Sequence, residues 1–72
     1  MKAIILHESR GRIRFRVCQK YMSFKEADIL ENWFCKKPWV KNVTVHERTK
    51  CVILHYQCSR DQVISSIRAF TW

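Results

Sequence analysis

The chain has 72 residues, a length for one domain spanning residues 1–72, and its 47% hydrophobic share excludes a disordered chain. A formal net charge of +8 favours acidic partners, whether nucleic acid, an anionic membrane surface or an acidic protein, without choosing among them. No apolar run approaches the roughly 20 residues of a membrane helix, and Ala3 to Leu6 falls short of the about 7 to 15 apolar residues of a signal-peptide core, so a cytoplasmic chain with four free thiols is expected.

Ala3 to His7 alternates as a strand, with Ile4 and Leu6 expected on the core face and Ala3, Ile5 and His7 on the other. Glu8 to Gly11 reads as a hairpin loop, its glycine suited to a positive φ. That loop would set Leu6 against Ile13 and Ile4 against Phe15. Arg12 to Val17 then alternates three arginines with Ile13, Phe15 and Val17. Period-two alternation puts the guanidinium groups on one face, and a one-residue slip would bury all three charges, so the register is fixed.

Ser23-Phe24-Lys25-Glu26 is a capping box that opens a helix with the expected stripe Phe24, Ala27, Leu30 and Phe34. Lys36 and Lys37 suit the negative end of the helix dipole, and Pro38 stops the helix. Val43 and Val45 alternate with Thr44 and His46 in a third strand. Glu47 to Lys50 is a polar turn, and Cys51 to Tyr56 a fourth strand. Ser59-Arg60-Asp61-Gln62 repeats the capping-box pattern ahead of a helix with Val63, Ile64, Ile67 and Phe70 on one side. The expected core comprises Phe15, Val17, Leu30, Phe34, Val45, Leu54, Ile67 and Phe70.

Strand-helix-strand-strand-helix is the split βαβ order of α+β ferredoxin-like folds. The usual last strand is missing, and the N-terminal hairpin strand can take its edge. A four-stranded antiparallel sheet follows, in the order N-terminal, arginine, fourth, third strand, with both helices on one face.

His7 followed by Gly11-Arg12-Ile13-Arg14, then the amphipathic helix, Val40-x-x-Val43-x-Val45 and Val52-x-Leu54-x-Tyr56, resembles the heavy-metal-associated (HMA-like) domain at the N-terminus of heavy-metal-translocating P-type ATPases. The likeness covers nearly the whole chain and is closest to the divergent branch without the Cys-x-x-Cys metal loop; Trp39 departs from it, where the family has glycine. The resemblance implies a cytosolic regulatory or docking domain of a metal pump, the N-terminal part of a longer chain, with other domains of the same transporter as partners. The family's metal loop corresponds to Val17 to Ser23, which carries only Cys18, beside Lys20. A soft metal needs two or more converging thiolates, so the family's ligands do not carry over and no cofactor is expected.

Arg12, Arg14 and Arg16 are the candidate anion-docking row; the plain alternative is a solvated face whose long side chains shield apolar atoms. Specific RNA recognition is not expected, because the central open-face positions hold Arg12, Arg14, Arg16, Cys51, Ile53 and His55 and no aromatic for base stacking. Non-specific binding to nucleic acid or another anionic surface stays open, as does weak metal binding in the manner of a chaperone. For the latter the candidates are His46, Cys51 and His55 on the open face, and Cys18. Ile29 and Trp33, at i and i+4 on the first helix, form either a partner patch or a shoulder packed under Trp39 or Trp72. Catalysis by this domain is not expected: it lacks a carboxylate pair in apolar surroundings, a nucleophile–His–Asp set and a phosphate-cradling glycine loop.

Overall fold

A computed structural model describes residues 1–71. The elements are β1 (Ala3–Ser9), β2 (Arg12–Val17), α1 (Phe24–Cys35), β3 (Val40–His46), β4 (Cys51–Tyr56) and α2 (Arg60–Ala69). The sheet is antiparallel throughout, in the order β1-β2-β4-β3. This is the α+β ferredoxin-like arrangement expected from the element order, with the hairpin strand β1 at the edge.

One face of the sheet carries the core. Ile13 lies opposite Leu54 and Phe15 opposite Val52, and Val43 and Val45 continue the face on β3. Leu30 and Phe34 of α1 and Val63 and Ile67 of α2 join the same apolar cluster, which Phe70 closes. Of the expected core, Val45 alone is half-buried; the rest is buried.

The helix starts follow their capping chemistry. Ser23 Oγ accepts from the Glu26 N–H at 3.1 Å, and Glu26 Oε1 accepts from the Ser23 N–H at 3.0 Å. At α2, Ser59 Oγ accepts from the Gln62 N–H at 3.3 Å without the reciprocal bond, so the second capping box is half formed. Phe24 departs from the expected stripe: it stands 75% exposed, and the buried residues of α1 are Ala27, Leu30 and Phe34. At the first helical position, directly after the N-cap Ser23, it lies outside the core cluster.

The hairpin corrects the expected register. Its loop is the two-residue Arg10-Gly11, with Gly11 at φ 76°, so Ser9 faces Arg12, Glu8 faces Ile13 and His7 faces Arg14. A bulge at Leu6 resets the alternation, and Ile5 then faces Phe15 and Ile4 faces Arg16. Cross-strand partners share a face. Ile5 and Ala3 therefore lie on the helix side, and Ile4 lies on the arginine face, the reverse of the alternation expected for the strand. β3 carries a second bulge, at Lys41. The β3–β4 turn ends on Lys50, a non-glycine residue at φ 60°. Its Nζ donates to the Gln19 carbonyl at 2.6 Å, holding the turn against the loop after β2.

No helix among the described residues is long and apolar enough to cross a membrane.

Candidate docking site on the open sheet face

Strand pairing arranges the face away from the helices into three rows. His46, Cys51, Arg16 and Ile4 form the first. Thr44, Ile53, Arg14 and His7 form the second, and Asn42, His55, Arg12 and Ser9 the third. Neighbouring strands lie about 4.8 Å apart, so each row crosses about 14 Å. The face thus gathers the three arginines of β2 with all three histidines of the chain, and none of these twelve positions is acidic.

Arg14 and Arg16 are exposed and Arg12 is half-buried between its neighbours on β1 and β4. None of the three guanidinium groups has an ion pair or hydrogen bond among the described residues. Residues two apart on a strand stand about 7 Å apart, where two like charges repel by about 0.6 kcal/mol in water. An anion placed over the row relieves that repulsion. Glu8 points to the helix side, where its carboxylate pairs with Arg60 at the start of α2.

At one corner Arg14, His46, Arg48 and Thr49 line a groove of about 320 Å³, with Glu47 as its single acid. Two guanidinium groups, an imidazole and a hydroxyl offer a carboxylate or phosphate several donors. The alternation of β2 alone does not reveal Arg48 as a member of this group; it comes from the turn and meets Arg14 only through the register.

The weak metal candidates separate on inspection. His46 and Cys51 face each other, but Cys51 is only 3% exposed and its thiol donates to the Thr49 carbonyl at 3.6 Å. His55 sits two rows away, and its Nδ1 is buried without a hydrogen-bond partner among the described residues. Cys18 follows β2, its N–H bonded to the Lys2 carbonyl at 3.0 Å. Among the described residues, no group of three or more His, Cys, Asp or Glu side chains is placed to hold a metal ion.

Trp33 of the helix shoulder packs inward: its ring meets Phe34 and Phe70 edge-on, each with centroids 5.0 Å apart, and Lys37 Nζ lies 3.9 Å over it. Ile29 stays exposed. Trp72, considered as its cover, lies outside the described residues.

The helix side carries the shifted titrations. Burial first, then the charge of Glu8 and the neighbouring Cys58, push the Tyr56 hydroxyl above its ordinary value. Burial alone pushes the Cys58 thiol up. The hydrogen bond from Arg60 to Glu8 holds that guanidinium more firmly protonated.

The sheet face is therefore a basic surface with a grooved corner and a flank of apolar side chains. No family model, curated protein or solved structure matches this chain.

Proposed function

We propose that this is a docking domain that binds an acidic protein surface through its open sheet face, in the setting the sequence resemblance implies: the cytosolic side of a heavy-metal-translocating P-type ATPase, with another domain of the transporter as partner. The observation that carries the reading is the row of Arg12, Arg14 and Arg16, held on a central strand and ion-paired to no acid among the described residues. A strand fixes the spacing of its side chains far better than a loop does, so such a row is suited to reading a matching pattern of carboxylates. In this reading the domain itself neither catalyses nor holds a metal tightly, since a single cysteine occupies the loop that carries two in metal-binding domains of the family it resembles.

The test is titration with an oligoglutamate peptide followed by fluorescence anisotropy. Three surface ion pairs at about 0.5 kcal/mol each amount to about 1.5 kcal/mol, or roughly tenfold in affinity. The triple variant Arg12→Gln, Arg14→Gln, Arg16→Gln is expected to lose about that much while keeping its fold. Added salt is expected to weaken the wild type, because exposed charges are screened over about 8 Å at physiological ionic strength. Binding that ignores both the salt and the triple variant would refute the proposal.

A further inference from the structure

Ile4 and Leu6 are the surprise of the docking face. Both are large, and they stand 47% and 45% exposed. Ile4 is in register with Arg16, and Leu6 occupies the bulge beside His7, opposite the Arg14 stretch. The bulge therefore adds an apolar flank to a basic surface. At the opposite end of the same row lies the groove of Arg14, His46, Arg48 and Thr49, where two guanidinium groups outnumber the single acid Glu47.

Resting on the docking reading, we infer that the partner is an extended acidic segment of the pattern Glu-x-Glu-x-Leu, or its equivalent with Asp and another large apolar residue, laid across the strands. In an extended segment residues i, i+2 and i+4 face one side and span about 13 Å, which matches the row of about 14 Å. The first carboxylate takes the donors of the corner groove and the second meets the Arg16 guanidinium. The apolar side chain at i+4 covers Ile4 and Leu6. Charge complementarity selects an acidic occupant, and the apolar flank selects among acidic ones.

An anionic bilayer fits this face less well. Interfacial binding needs apolar groups that reach about 5 to 10 Å into the headgroup boundary. Here the long side chains of Arg14 and Arg16 stand beside the shorter Ile4 and Leu6, so phosphates would meet the arginines before acyl chains met the aliphatics. A peptide side chain can descend between the arginines.

Two peptides test this against the 72-residue chain: Glu-Ser-Glu-Ser-Leu and Glu-Ser-Glu-Ser-Ser, titrated by NMR with the Ile4 and Leu6 methyls as reporters. The leucine peptide is expected to bind about tenfold more tightly and to shift those methyls. The double variant Ile4→Thr, Leu6→Thr should abolish the difference and leave affinity for the serine peptide unchanged. Circular dichroism checks its fold, and Leu6→Asn alone, placed in the bulge, serves if the double variant unfolds. Equal affinity of the wild type for both peptides overturns the inference and leaves the docking reading standing. Binding to phosphatidylcholine vesicles containing phosphatidylserine, with neither peptide bound, overturns it in favour of a lipid partner. Failure of both peptides and of the vesicles removes the docking reading as well.

Discussion

Trp33 meets Phe70 edge to face, with ring centroids 5.0 Å apart and planes at 76°. The contact joins α1 to the residue that ends α2, so it ties together the two halves of the helical layer. Trp33→Ala is expected to cost about 3 kcal/mol, from lost aromatic area and the edge-to-face geometry together. Ile29→Ala, one turn earlier and exposed, should stay within about 0.5 kcal/mol. Denaturant unfolding of the two variants checks this; equal midpoints would mean that the shoulder acts as a unit and Trp33 does not anchor it.

Phe15 and Phe24 offer the sharpest contrast in the core. Phe15 is fully buried against Phe34, with centroids 6.1 Å apart, whereas Phe24 is largely exposed. Phe15→Ala should cost about 3 to 5 kcal/mol, much of the stability of so small a domain. Phe24→Ala should move the unfolding midpoint hardly at all. A large loss at Phe24 would restore the four-residue stripe expected from periodicity.

High pH should loosen the hairpin end of the sheet. Tyr56 and Cys58 both hold their protons more tightly in the folded chain than their ordinary values of 10.0 and 9.0. The unfolded chain therefore releases these protons first as the pH rises, and ionisation draws the equilibrium towards it. Their contribution is intact below about pH 9 and is lost as pH climbs through 9 to 10 and on to the raised folded values. Unfolding followed by circular dichroism against pH measures the loss, which Cys58→Ala and Tyr56→Phe together should flatten. In alkylation by iodoacetamide read by mass spectrometry, exposed Cys18 and Cys35 should react before Cys58, and buried Cys51 last.

Metal competition bears on the opposite expectation that a heavy-metal family raises. Cys51 is buried with its thiol turned to Thr49, and Cys18 and Cys58 follow opposite ends of the central strands. One equivalent of copper(I) or zinc, offered in reducing buffer against a strong chelator, should stay with the chelator. Retention by the protein, lost in Cys18→Ser or Cys51→Ser, would show a site that these positions do not assemble.

The elements were legible because their signals are local. Ser23 with Glu26 announces α1, and the alternation from Arg12 to Val17 needs no partner to define its two faces. What escaped was the β1 register, and with it the apolar flank of the open sheet face. A four-residue loop at Glu8 to Gly11 would have buried Ile4 and Leu6, a self-consistent pattern on hydropathy alone. The loop is instead the two-residue Arg10-Gly11, with its positive φ on the second residue alone, whereas the commonest two-residue turns announce themselves by Gly or Asn at the first. The bulge at Leu6 had no signal, because an extra residue in an edge strand leaves the composition of that strand unchanged. The corner groove was hidden for a related reason: Arg48 reaches Arg14 only through three strands in register, a relation of tertiary structure.

Both outer strands break their pairing at one residue, Leu6 in β1 and Lys41 in β3. A strand from a neighbouring molecule needs a straight, unbroken row of amide and carbonyl groups to zip onto a sheet, and a bulge bends that row away. Growth within the plane of the sheet is thereby discouraged at both ends, including the fibril-like stacking that a chain this rich in β-branched and aromatic residues would otherwise invite. With edge pairing discouraged on both sides, copies of the domain can be crowded together without their sheets fusing.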